Sequence, residues 1–275
     1  MTQLKIAVLG DGGGLARLGL ERAGHRCIGF ELDPVKHYLS KMVGSGNCVL
    51  ADMRDVDLSK FDAVWASPPC QDHSEQNHGN RKRLSLYADG TLLEWCLKLP
   101  HDVLWVENVI NYRVPKWGTH WNAAQFLPDP VQKRRRQVGG RYRSPMIYRE
   151  YKPDYREFDV CPAVLASERS GAGFSFNPNT ERRKASLWYG RPLSISEMAH
   201  HQGFEIPHTL LRSWWYTPPF ANPETNKPFT PTQWTSVLST VIGNGVPVFM
   251  AQAFGAAYTD HYTSDLRQRN FLEVA

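Results

Sequence analysis

The sequence predicts an α/β fold: a mostly parallel sheet with covering helices and, late in the chain, a small irregular lobe. Three observations carry this. Short aliphatic runs alternate with segments of helical period; the runs end in glycine, acid or proline; and from about Arg141 to Gly190 the periodicity gives way to Arg, Pro, Ser, Asn and Tyr.

Leu4–Leu9 is an aliphatic run that stops at Gly10-Asp11-Gly12-Gly13-Gly14, after which Leu15, Leu18, Leu20 and Ala23 recur at helical spacing. Strand, glycine loop and helix are expected in turn. Arg26–Glu31 reads as a second strand, Pro34–Val43 as a helix, Cys48–Leu50 as a short third strand and Ala63–Ala66 as a fourth. Leu84–Leu99 carries apolar residues at helical spacing, and Asp102–Val106 gives a fifth strand that ends at Glu107-Asn108. Beyond the irregular region, Ser194–His201 reads as a helix capped by Ser194 or Ser196. Thr232–Thr240 and Pro247–Ala257 read as two more, separated by Gly243-Asn244-Gly245.

The 275 residues suffice to bury a substantial core, and 41% hydrophobic with 21% charged residues is ordinary globular composition. The net charge of +5 is concentrated in Arg81-Lys82-Arg83, Lys133-Arg134-Arg135-Arg136 and Arg182-Arg183-Lys184. One such cluster is usually a solvated face; three together favour a polyanionic partner. The first apolar run is too short for a signal peptide and lacks a small-residue cleavage site, and Val241–Ala257 is broken by Asn244, Pro247 and Gln252. A cytoplasmic protein without membrane association is expected. The five cysteines are odd in number and form no Cys-x-x-Cys pair, which argues against a disulfide framework and a four-cysteine zinc site.

In a parallel sheet, ligands bind at the carboxyl ends of the strands. The glycine loop lets backbone approach a ligand, and Glu31 ends the next strand where a ribose diol could be held; taken alone, this suits several nucleoside cofactors equally. The fourth strand ends in Ser67-Pro68-Pro69-Cys70-Gln71, where two prolines fix the backbone around a thiol, and the fifth ends in Glu107-Asn108-Val109. Thiol and acid are thus expected at one site. A buried inert cysteine and a salt-bridging glutamate are the plainer readings of each residue alone.

In this order the motifs resemble those of the DNA cytosine C5-methyltransferases. The glycine loop with Gly19-Leu20 and Ala23-Gly24 is similar to that family's S-adenosylmethionine (SAM) loop; Pro69-Cys70-Gln71 and Glu107-Asn108-Val109 to its nucleophile and acid motifs. Gln132-x-Arg134-x-Arg136, Arg191 through Glu197 to Gln202-Gly203-Phe204, and Gly243-Asn244-x-Val246-Pro247 are similar to later ones.

The resemblance implies a Rossmann-like SAM-dependent methyltransferase with a SAM-binding and catalytic domain at 1–140, a small target-recognition region at 141–190, and, at 191–275, the remainder of that lobe and helices returning to the catalytic domain. It implies that Cys70 adds to C6 of a cytosine flipped out of double-stranded DNA, that Glu107 serves N3, and that Arg134 and Arg136 line the pocket, Arg134 being the better candidate for contacting the base. For the cofactor it points to Leu9, Asp11, Gly12, Gly13, Gly14, Glu31, Asp52, Pro69, Gly243 and Asn244. For the substrate it adds Gln71, Ser74, Asn108 and Gln132. No metal is required, no obligate protein partner is evident, and a monomer is expected. Asp11 departs from the family's glycine: its carboxylate would clash with the cofactor's carboxylate or pair with its ammonium. Rival readings are a silent relative that binds without transfer, a modifier of tRNA or a free nucleotide, and a zinc site from Cys70, His73 and His78.

Overall fold

Period-two alternation sorts the strand side chains onto two buried faces. In β1 (Lys5–Leu9), Ile6 and Val8 face one way and Ala7 and Leu9 the other, all of them fully buried. In β4 (Ala63–Ala66) and β5 (Val103–Asn108), Trp65 and Trp105 join the first face, and Val64, Ala66, Leu104 and Val106 the second. Strands apolar on both sides require cover on both. The computed structural model describes residues 3–69, 90–110, 117–127, 132–148, 163, 191, 193–206, 220–221 and 225–259.

With β2 (Arg26–Glu31), β3 (Cys48–Leu50), β6 (Thr119–Asn122) and β7 (Arg135–Arg141), the sheet has, among the described residues, seven strands in the order β3-β2-β1-β4-β5-β7-β6. The first five are parallel, and β7 runs antiparallel between β5 and β6. The first face is covered by α1 (Leu15–Arg22) and, from the far end of the chain, α6 (Val248–Ala256). Phe254 of α6 meets the rings of Trp65, Trp121, Phe126 and Tyr142 there. The second face is covered by α3 (Gly90–Leu97), through Leu93 and Cys96, and by the segment after β3. Leu15, α2 (Pro34–Lys41), α4 (Ile195–His201) and α5 (Pro231–Asn244) form a third apolar cluster beside the sheet.

Several boundaries differ from the sequence reading. The hairpin β6–β7 was not expected; of the Gln132-x-Arg134-x-Arg136 motif only Arg136 lies within β7, and Gln132 and Arg134 precede it. β6 has little aliphatic signal, since Thr-His-Trp-Asn is held by pairing to β7. The first C-terminal helix continues through Gly243 and Asn244 instead of ending at Thr240. By composition Pro231–Ala256 could cross a bilayer (mean hydropathy 1.4 over its most apolar 18 residues), but 61% of that stretch is buried, and the segment is two helices broken at 245–247. Its apolarity is accounted for by the core. Of the helix expected over Leu84–Leu99, residues 84–89 lie outside the described residues, as does most of 141–190.

Candidate functional site

The carboxyl ends of β1, β2, β4 and β5 open into a cavity of about 210 Å³. Its floor is the glycine loop. Two of those glycines are demanded by the protein itself: a Cβ on Gly10 would lie 2.5 Å from the Ser67 carbonyl, and one on Gly13 would lie 2.6 Å from the Val241 side chain of α5. The loop is thus wedged between β4 and a helix some 230 residues downstream in the chain (Val241 against Gly13). Glu31, 7% exposed, pins it from the side by accepting from the Gly12 amide at 2.8 Å and the Asp33 amide at 2.9 Å.

Asp11 corrects the sequence reading. Its backbone borders the cavity, but its carboxylate turns inward, 3.0 Å from Arg17 Nε, and accepts from Ser40 Oγ. Arg17 is fully buried and also donates to Glu21, to Ser45 Oγ, to the Ser40 carbonyl at the end of α2 and to the Val43 carbonyl just beyond it. Burial pushes the Asp11 pKa up and the Arg17 guanidinium opposes that rise. The acid therefore neither clashes with a ligand nor pairs with one. It holds the loop against α1 and α2. Leu9 is a second correction, its side chain being wholly buried on the second sheet face, and only the loop after it reaches the cavity. Asp52 borders the cavity, caps the turn at Met53–Asp55 and ion-pairs with Arg54 at 2.7 Å, hydrogen bonds that hold its pKa low.

The opposite wall is built from three strands. Glu107 at the end of β5, 5% exposed, forms an ion pair with Arg136 of β7, Nε to Oε1 at 2.7 Å. Ser67, just past β4, donates to the other carboxylate oxygen at 3.1 Å and accepts from Trp65 Nε1 at 3.0 Å. Burial raises the Glu107 pKa, opposed by the charge of Arg136, the Ser67 hydrogen bond and the charge of Arg134. Asn108 donates to the Pro68 carbonyl at 3.1 Å, tying the acid strand to the Pro68-Pro69 turn; Pro69 borders the cavity. Cys70, Gln71 and Ser74 lie outside the described residues. Cys27, Cys48 and Cys96 are buried, and burial raises their thiol pKa values, to about 11 for Cys48 and about 12 for Cys96. These three are held as neutral thiols.

Three further expected site residues are turned away from the cavity. Arg134 donates to the Gly243 carbonyl in the last turn of α5, a position where a helix end attracts cations. Gly243 is the acceptor there, and of the pair only Asn244 borders the cavity. Gln132, fully buried, donates to the His201 carbonyl at 2.6 Å and to Gln202 Oε1 at 3.1 Å; Gln202 in turn donates to the Ile242 carbonyl at 2.7 Å. Gln132, Gln202 and Arg134 thus cap the end of α5 and fix Asn244, Gly245 and Val246 as the C-terminal wall. Arg136 alone of the two arginines borders the cavity. Sequence reasoning missed Ser67, Arg17 and Val241. For Ser67 the available signal was its place two residues after Trp65, on the same face of an extended segment.

A larger cavity, about 620 Å³, lies behind the Gly13–Val241 wall. Its lining is mostly aliphatic, and its Arg22 is engaged with the Gly203 carbonyl. The facing acid and cation are in the smaller one.

No protein-family model matches the sequence, and no curated protein matches it. Solved structures do. The S. pombe Dnmt2 methyltransferase aligns over 96% of this chain and 99% of its own, with 12% identity and a TM-score of 0.52. A putative DNA modification methyltransferase encoded within an E. coli prophage aligns over 93% and 98%, with 14% identity and a TM-score of 0.52. The Entamoeba histolytica methyltransferase EhMeth aligns over 97% and 99%, with 12% identity and a TM-score of 0.52. The chain therefore has the Rossmann-like fold of these methyltransferases, with a mixed, mostly parallel sheet.

Proposed function

We propose that this chain is a DNA cytosine C5-methyltransferase that uses SAM as methyl donor and Cys70 as covalent nucleophile. The observation that carries the reading is the buried Glu107–Arg136 pair, which shares one cavity with the glycine loop, Glu31 and Pro69, the residue before Cys70. The structural neighbours add support, two of them being a DNA modification methyltransferase and a Dnmt2 methyltransferase by name.

The residues present suit SAM. The glycine loop offers side-chain-free backbone, Glu31 and Asp52 offer carboxylates on one side, and Leu32 and Met53 offer apolar surface between them. When bound, SAM supplies an electrophilic methyl group. Gly12 and Gly13 would hold its methionine part, Glu31 the ribose hydroxyls and Asp52 the adenine amino group, while Gly14, expected with them, packs against Arg17 and Ser40.

Cytosine C5 is a weak nucleophile, so the chain's own groups must first activate it. The Cys70 thiolate adds to C6 while Glu107 delivers a proton to N3 and so takes up the charge that develops on the ring. Once C5 carries the methyl group, loss of its proton to a base expels Cys70 as thiolate, and return of the N3 proton to Glu107 restores the neutral aromatic ring and the acid. Arg136 holds the Glu107 carboxyl against the pocket wall. The target atom is inaccessible in stacked DNA, so the base must leave the helix, and the basic clusters suit the phosphates around it. The small region at 141–190 would read the site; its size supports few base contacts, hence a short or degenerate target sequence.

The test is incubation with methyl-labelled SAM and, separately, duplex DNA, RNA and free nucleotides, followed by nucleoside mass spectrometry. Label in 5-methylcytosine from DNA is expected; label confined to RNA or nucleotides would reassign the substrate. DNA carrying 5-fluorocytosine should trap a denaturation-resistant complex with the wild type and none with Cys70→Ala.

A further inference from the structure

We infer that Ser67 is a positioning residue for Glu107, the middle of a relay in which Trp65 sets the direction of the Ser67 hydroxyl and the hydroxyl sets the plane of the carboxylate. Trp65 Nε1 is a donor only, fully buried, and its N–H points at Ser67 Oγ at 3.0 Å. A hydroxyl that accepts from one side turns its own hydrogen elsewhere, and the acceptor 3.1 Å away is Glu107 Oε2. Arg136 occupies the other oxygen at 2.7 Å. The carboxyl group is therefore fixed at both oxygens by groups from β7 and from the end of β4, which no contiguous stretch of chain could supply. A glutamate held only by Arg136 could pivot about that one contact. Gly10 fits this arrangement: its missing Cβ lets the Ser67 carbonyl pass within the 2.5 Å noted above, so the serine's backbone is seated by the glycine loop.

Among the described residues, the charges near Glu107 are Arg136 on β7 and Arg134 just before it. α5 brings only the uncharged Thr240, Val241 and Asn244 to the cavity, and Glu31, Asp52 and Lys36 line its other half. Removing the Ser67 hydroxyl takes away a donor that favours the charged carboxylate, so the Glu107 titration must move upward.

This inference rests on the methyltransferase reading for its kinetic part and stands apart from it in its titration. In Ser67→Ala, thermal melting first establishes the fold, and the Glu107 carboxyl is then titrated by carbon NMR against the wild type. A higher midpoint is expected. In turnover, kcat should fall roughly tenfold, the KM for SAM should stay constant, and the alkaline limb of the kcat profile should move to higher pH, since the protonated acid persists further. An unchanged midpoint, or an unchanged kcat, overturns the relay. If the wild type itself methylates nothing, the proposed function fails while the titration still decides the role of Ser67.

Discussion

The two halves of the cavity are built on opposite plans. In the half formed by β1, β2 and the turn after β3, each carboxylate is anchored on the protein: Glu31 on the Gly12 and Asp33 amides, Asp11 on Arg17 and Ser40, Asp52 on Arg54. Asp11 only shapes the loop, whereas Glu31 and Asp52 also border the cavity. In the half formed by β4, β5 and β7, one buried carboxylate is balanced by a cation and a hydroxyl and left facing the cavity. The first half is a mould and the second a poised acid, so substitutions should separate binding from turnover.

The largest expected effect lies in the second half. Glu107→Gln keeps shape and removes the titrating proton, so kcat should fall by about 10²- to 10⁴-fold while calorimetry finds SAM affinity changed by about twofold or less. A comparable loss of SAM binding would break the division between the halves.

Next comes Arg17→Met. It leaves the buried Asp11 without its cation, which should cost about 3–5 kcal/mol in chemical denaturation. Combining it with Asp11→Leu should recover much of that loss, because the uncompensated charge goes with it; no recovery would mean that Arg17 matters through α2 alone.

Glu31→Ala should weaken SAM binding by about ten- to a hundredfold and leave DNA affinity unaltered. It should also lower the melting temperature, since two amides lose their acceptor. If stability falls and SAM affinity does not, Glu31 is a loop anchor only.

The smallest effect belongs to neither half and serves as a control. His25 takes the Leu4 amide on Nδ1 at 3.3 Å and meets the Gly255 carbonyl with Nε2 at 2.9 Å, joining β1 to α6 as a neutral ring, and burial lowers its pKa. The unfolded chain then binds the extra proton more readily, so this contribution to stability is complete above the ordinary histidine pKa and declines as pH falls below it. Melting curves from pH 7.5 to 5.5 should show that decline, flattened in His25→Gln, with SAM affinity at neutral pH unaffected.

How far the sequence reached follows the same division. Strand, glycine loop and helix, then Glu31 at the end of β2 and Glu107 at the end of β5, were legible because each depends on local period and on where a run of aliphatic residues stops. Glycines and prolines marked the turns for the same local reason. What the sequence could not decide was where side chains go once such a turn is made. Asp11 goes into the core because Arg17, six residues further on, is buried there and needs an opposite charge. Arg134 and Arg136 were indistinguishable by spacing; the carbonyls at the end of α5 claim the first, and Glu107 claims the second. Gln132 is drawn to Gln202 by the same helix end. Arg17 apart, those partners lie tens to more than a hundred residues away, and it is the insertion of β7 beside β5 and the return of α5 to the glycine loop that bring them within bonding distance.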